Sequence, residues 1–142
     1  MDKIAVIYWS GSGNTEKMAK AIVKGVNQAG KDVDVFQASD FSAKDINAYE
    51  KIAFGCPSMG CEVLEETEFE PFFQEIESAL KEKQVALFGS YGWGDGEWMR
   101  NWQERVIQDG AKLFEEGVII NDKPDLAGEE KCTAFGERFA NQ

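Results

Sequence analysis

Apolar residues along the chain fall into short continuous runs that alternate with helically spaced stripes. Ile4-Ala5-Val6-Ile7-Tyr8-Trp9 is the first run, and Glu16–Val23 continues with helical spacing. Gly30 stops that helix, and Val33 with Val35-Phe36 predicts a short second strand. Residues 39–50 are polar and predict a loop with a weak helical turn near Ala43–Ile46. Ile52-Ala53-Phe54-Gly55-Cys56 predicts a third strand, ended by Pro57, and Phe69, Phe72, Phe73, Ile76 and Leu80 form a helical stripe. Val85-Ala86-Leu87-Phe88 predicts a fourth strand that runs into the glycine-rich Gly89–Gly96. Trp98, Trp102 and Val106 then recur at i, i+4 and i+8 on a helix that stops near Gly110. Leu113-Phe114 and Val118-Ile119-Ile120 read as a fifth strand interrupted at Glu115–Gly117, and Cys132, Phe135, Gly136 and Phe139 mark a closing helix.

Strands made of unbroken apolar runs, each followed by a helix, predict an α/β fold: a doubly wound, five-stranded parallel sheet with helices on both faces. The 142 residues are enough for one domain, residues 1–142, with an ordinary core. In such a sheet ligands sit beyond the carboxyl ends of the strands, where the strand order reverses. The loops after strands one, three and four therefore share a rim. They are Ser10-Gly11-Ser12-Gly13-Asn14-Thr15, Pro57-Ser58-Met59-Gly60-Cys61-Glu62 and Ser90-Tyr91-Gly92-Trp93-Gly94-Asp95-Gly96.

The first loop joins a buried strand to a helix, so its N–H groups point outward at the positive end of a helix dipole, a setting that suits a phosphate. An N-cap turn has the same composition. The triphosphate-binding lysine pattern is absent, and Glu16 stands where the dinucleotide fingerprint has its third glycine. A monophosphate is left open. In the second loop Gly60 can let its peptide turn between two turn types. Met59 is a polarisable group able to lie against a ring, and Glu62 can accept from a ring N–H. Taken alone, that segment also reads as a surface turn. In the third loop glycines flank Trp93, so backbone comes close to something flat while the indole and the Tyr91 phenol project outward. Exposed aromatics of that kind cover a ligand or a partner; Trp98 and Trp102 belong to the core.

Charge and composition narrow the partners. A net charge of −11 disfavours nucleic acid and attracts basic surfaces of other proteins. The acidic stretch Glu62–Glu70 is the candidate docking segment, and it reads equally as a solvated helix entry. The chain contains no histidine, and its three cysteines lack C-x-x-C spacing, which argues against zinc, a catalytic triad or a histidine base. No apolar stretch approaches membrane-spanning length, and Met1-Asp2-Lys3 leads straight into a strand. A monomer in a reducing cytoplasm is the expectation.

In order and spacing, S-G-S-G-N-T, P-S-M-G-C-E and S-Y-G-W-G-D-G resemble the three FMN-binding segments of flavodoxins of the short-chain kind from anaerobic bacteria, over essentially the whole chain. The three-residue interruption at Glu115–Gly117 is too short for the long-chain insertion. The resemblance implies strand order 2-1-3-4-5 and non-covalent FMN. It implies that residues 10–15 surround the phosphate, Met59 and Trp93 lie on the two faces of the ring, and Glu62 accepts from N3–H. The N–H groups of Gly92, Trp93 and Gly94 would meet the pyrimidine end. It also implies a low-potential one-electron carrier, working through semiquinone and hydroquinone states between redox enzymes, rather than an enzyme. A flavin oxidoreductase on the same fold needs further loops for a second substrate. A signalling receiver needs acids where Trp9-Ser10 and Gly55-Cys56-Pro57 stand. Cys61 departs from the Gly or Asp frequent in relatives. If the turned peptide needs positive φ there, a non-glycine residue costs about 1–2 kcal/mol, and the semiquinone is slightly less stabilised than with Gly. The acids around Cys61 discourage a reactive-thiol role.

Overall fold

Two periodicities in the strands build the molecule, which is described here from a computed structural model. Residues 3–142 are described; Met1 and Asp2, which the sequence runs directly into the first strand, lie outside them. Successive side chains of a strand point to opposite faces. Ile4, Val6 and Tyr8 of β1 (Ile4–Tyr8) therefore enter one core, and Ala5 and Ile7 the other. The same division runs through β3 (Lys51–Gly55) and β4 (Gln84–Tyr91), which is why all three are buried along nearly their whole length.

All pairings are parallel, in the order β2-β1-β3-β4-β5, with β2 at Val33–Gln37 and β5 at Lys112–Leu113. β6 (Val118–Asn121) pairs with the upper half of β4, Phe88 to Tyr91, while β5 pairs with its lower end. Together they are the expected fifth strand in two pieces. Lys51 and Ala53 of β3 align with Ile4 and Val6 of β1, so the strands keep one level and their carboxyl ends emerge together.

Helices α1 (Asn14–Gln28) and α4 (Leu126–Ala140) cover one face, with Met18, Ile22 and Val26 against Cys132, Phe135 and Phe139. Helices α2 (Phe69–Ile76) and α3 (Glu97–Gln108) cover the other. There Phe69 and Phe73 meet Trp102 edge to face, at centroid distances of 5.5 and 5.9 Å. Trp98 and Trp102 are core residues, as expected.

The differences from the sequence reading are local. Leu80 lies beyond the end of α2, after a 3₁₀ turn at Glu77–Ala79. Residues 39–50 hold two 3₁₀ turns, Ala38–Asp40 and Ala43–Ala48. β4 continues three residues past Phe88, because β6 offers it a partner that an apolar-run argument does not see. Among the described residues, no helix is long and apolar enough to cross a membrane.

Candidate functional site

The register pairs Tyr8 with Gly55 and Gly55 with Phe88, so the three loops of interest leave the sheet side by side. In the first, Gly13 (φ 97) turns the chain into α1. The Ser10 hydroxyl accepts from the N–H groups of Gly13 (3.1 Å) and Glu16 (3.2 Å), and the Ser12 hydroxyl from that of Asn14 (3.5 Å). No acceptor among the described residues takes the N–H groups of Gly11, Ser12 or Thr15. These are free donors at the positive end of a 15-residue helix. Thr15 differs from its neighbours. It is buried, and its hydroxyl lies 3.0 Å from that of Ser90 and accepts the Ser90 N–H at 3.3 Å. Its side chain ties the loop to β4 instead of facing outward.

The second loop is a tight hairpin. Met59 and Val63 exchange both backbone hydrogen bonds, at 2.8 and 2.9 Å, and the Ser58 N–H donates to the Ser90 carbonyl at 3.0 Å. Positive φ falls on Gly60 (50°) and Glu62 (54°) and not on Cys61. The closing bonds join Met59 to Val63, so the loop is Gly60-Cys61-Glu62 with positive φ at its first and third residues, whereas a type II turn on Gly60-Cys61 would put positive φ on Cys61. The Gly60 carbonyl in this arrangement faces the third loop, where it accepts the Trp93 indole N–H at 3.1 Å. Cys61 thus lies outside the left-handed region in this arrangement, with the Gly60 carbonyl bonded to Trp93. Pro57 is half-buried, and the buried Ser58 hydroxyl has no hydrogen-bond partner among the described residues.

The third loop begins later than its composition suggests. Ser90 and Tyr91 belong to β4. The Tyr91 ring does not project outward: it is half-buried against Trp98, 5.6 Å between centroids. The adjacent Trp98 in α3 gives it an apolar neighbour. Trp93 does project, with 60% of its surface exposed, and it faces the exposed Met59-Gly60 turn. Gly92 is exposed with open space beside it, and Gly94 lies against the Glu62 carboxylate. Glu62 Oε1 accepts from the N–H groups of Gly96 (3.2 Å) and Glu97 (3.0 Å), the start of α3, and Oε2 has no donor among the described residues.

Sequence reasoning missed how the acidic stretch is used. Glu65 is buried, and its carboxylate accepts from the N–H groups of Thr67, Glu68 and Phe69 at 2.8–2.9 Å and from the Thr67 hydroxyl. Burial raises its pKa, but these four donors outweigh that and hold it below the usual carboxylate range. Glu65 is in effect the cap of α2. Glu68 takes the Trp9 indole N–H at 2.9 Å, and Glu70 pairs with Arg105 at 2.7 Å. Of the glutamates in this stretch, only Glu66 is both exposed and unpartnered among the described residues. The one sequence signal was a glutamate just before the apolar stripe of α2, where capping rules look for Ser, Thr, Asp or Asn.

The rim therefore combines free N–H donors at a helix start, an exposed indole facing a thioether-bearing turn, an unpartnered carboxylate oxygen and an orphan buried hydroxyl. Those features fit a flat ring carrying a phosphate. Two concavities lie elsewhere: about 340 Å³ beside Arg100 and Arg138, and about 750 Å³ at the opposite ends of the strands near Lys3 and Lys31. Neither offers an exposed aromatic face. Among the described residues no cluster of acids and cysteines is set to hold a metal.

Comparison with known proteins agrees with that chemistry. The flavodoxin family profile matches residues 6–136. A flavodoxin of Clostridium beijerinckii is 48% identical, covering 96% of this chain and 98% of its own. One of Megasphaera elsdenii is 44% identical, with the same coverage of each. The solution structure of two-electron reduced Megasphaera elsdenii flavodoxin superposes with a TM-score of 0.89 at 43% identity, over 98% of this chain and 99% of that one. The profile match over residues 6–136, relatives 48% and 44% identical over nearly the whole chain, and a sheet ordered 2-1-3-4-5 place the chain in the flavodoxin family.

Proposed function

We propose that the three loops hold FMN and that residues 1–142 act as one FMN-binding domain, a low-potential one-electron carrier between redox enzymes. The family membership supplies the coarser statement: flavodoxins are FMN-bound electron carriers that serve redox partners, and are not enzymes. The observation that carries the finer reading is the exposed Trp93 indole facing the Met59-Gly60 turn, beside free N–H groups at the start of α1.

Ser10, Gly11, Ser12, Gly13, Asn14 and Thr15 would enclose the phosphate, chiefly through the N–H groups of Gly11, Ser12 and Thr15. Pro57, Ser58 and Ser90 support the wall beneath, and the orphan Ser58 hydroxyl is a donor in waiting. Met59 and Trp93 would take the two faces of the ring. Glu62 Oε2 would accept from N3–H, and Gly92, Trp93 and Gly94 would donate backbone N–H groups to the pyrimidine end. Gly60 and Cys61 shape the turn at the ring edge, and Tyr91 steadies the start of the third loop through Trp98.

FMN, when bound, supplies the one-electron chemistry. The chain sets where that chemistry sits on the potential scale. Its three loops contain no Lys or Arg, and its net charge is −11, so the protein field disfavours added negative charge at the rim and keeps the potential low. The same charge favours brief docking to basic faces of partner proteins. No nucleic-acid or membrane role is part of the proposal, which takes the protein as a cytoplasmic monomer.

Titration of FMN into purified protein tests the assignment. Stoichiometric quenching of flavin fluorescence is expected, together with a matching change in Trp93 emission. Unquenched dye and a colourless protein would overturn it.

A further inference from the structure

The backbone of Glu62 is left-handed (φ 54), a region that non-glycine residues rarely occupy and that persists only where the surroundings impose it. The surroundings that impose it lie across the slot, on the third loop. Glu62 Oε1 accepts from the N–H groups of Gly96 and Glu97, at 3.2 and 3.0 Å. These groups open α3 and have no partner inside the helix. Gly96 has no side chain with which to cap α3, so the cap comes from 34 residues earlier in the chain. Gly94 (φ 83) forms the seat: a Cβ there would overlap the Glu62 carboxyl carbon and both its oxygens. Among the described residues, the only other side-chain tie between the two loops is the exposed bond from Trp93 to the Gly60 carbonyl.

We infer that Glu62 is a latch as well as a ring contact: its carboxylate, seated on Gly94 and held by the first N–H groups of α3, fixes the 59–63 hairpin to the third loop. It thereby sets the slot between Met59 and Trp93 before any ring enters. The inference rests on the FMN reading only for what the slot receives. Glu62 acts as a positioning residue through its Oε1, which leaves Oε2 free for the ring. Gly94 suits the seat because a side chain is strained at its φ of 83 and a Cβ there would push the carboxylate aside. A negative charge at the positive end of α3 adds to the hold.

Amide hydrogen exchange on the flavin-free, full-length protein tests the latch without needing cofactor. In Glu62→Ala the Gly96 and Glu97 amides should exchange at least about fivefold faster than in wild type, the effect of losing a helix cap. Glu62→Gln, which keeps an acceptor oxygen, should retain most of the protection. Unchanged exchange in Glu62→Ala overturns the latch. If that variant does not fold, Gly94→Ala carries the same reading, since it expels the carboxylate without altering it. A double-mutant cycle on FMN affinity supplies the second arm. Gly94→Ala should weaken binding at least about tenfold in the wild-type background and no more than about threefold in Glu62→Ala. Equal losses in the two backgrounds overturn the coupling. Wild-type protein that binds no FMN refutes the cofactor reading, and the exchange arm still judges the latch.

Discussion

Cys61 shows how a single backbone angle decides the sign of a functional effect. The turn places positive φ on Gly60 and leaves Cys61 outside the left-handed region while the Gly60 carbonyl faces the rim. Rotating that peptide away converts the turn to the class with positive φ at Cys61, at about 1–2 kcal/mol for a side chain that is not glycine. Cys61→Gly removes that penalty and eases the carbonyl-out turn, which favours the oxidised cofactor because its N5 has no proton to donate. The first one-electron midpoint should then fall, by at most ~40–90 mV for a one-electron step. Potentiometric titration of wild type and variant checks it; a rise in the first midpoint would reverse the assignment of the two turns. The sequence reading puts the penalty on the other turn and so expects the opposite direction; the turn seen here is held through Trp93, thirty-two residues later.

At the scale of elements, α2 and α3 are joined by a charge cluster with a pH signature. Arg105 pairs with Glu70 at 2.7 Å and with Glu77 at 2.9 Å, and its guanidinium holds the Glu77 carboxyl below the usual range. Beside them Asp109, with one buried oxygen lacking a partner, is pushed up from 3.8 to about 6 by burial and the adjacent Glu77. An unfolded Asp titrates near 3.9, so the folded state holds more protons between about pH 4 and 6. Stability from this group is complete below that window and is lost as pH rises through it. The linkage limit is ~3 kcal/mol, and screening at this partly exposed site reduces it to ~1 kcal/mol. Asp109→Asn should therefore be more stable than wild type at pH 7 and equal to it near pH 4, read from urea denaturation at the two pH values. Packing on the opposite face gives a second prediction. A Cβ on Gly136 would overlap the Ile22 carbonyl of α1, so Gly136→Ala should cost about 1–3 kcal/mol by forcing α1 and α4 apart. A loss below 0.5 kcal/mol, about the size of a neutral surface change, would show that the helices slide freely. These elements were legible in the sequence because their apolar periodicity is local and strong. The last residues of β4, the cap of α2 and the inward turn of Tyr91 were not. Each depends on a partner (β6, a distant carboxylate, Trp98) that is fixed only when the layers assemble.

For the whole molecule, the proposed docking turns on which part of a charge of −11 a partner would meet. The carboxylates of the acidic stretch also serve the fold: Glu62 caps α3, Glu65 caps α2 and the exposed Glu68 holds Trp9, all still charged, while Glu70 pairs with Arg105. Glu66 remains, with Asp95 and Glu97 exposed on the third loop and the start of α3, although Asp95 is shared with Arg100 at 3.0 Å. Steering depends on the summed field around the rim, so removing one exposed charge should slow encounter modestly, and added salt should slow it for every variant. Glu66→Gln and Glu97→Gln should thus reduce the second-order rate of electron transfer to a basic partner, about twofold to threefold each at low salt. The flavin spectrum and unfolding midpoint should stay unchanged. Glu65→Gln should behave in the opposite manner. It leaves a buried capping network short of an acceptor, at about 1–3 kcal/mol of stability, and its transfer rate under folding conditions should match wild type. Stopped-flow transfer measured across ionic strength, beside denaturation of the same three variants, separates the two roles. Rates indifferent to salt would remove docking by charge, and a Glu65→Gln protein as stable as wild type would show that α2 needs no cap.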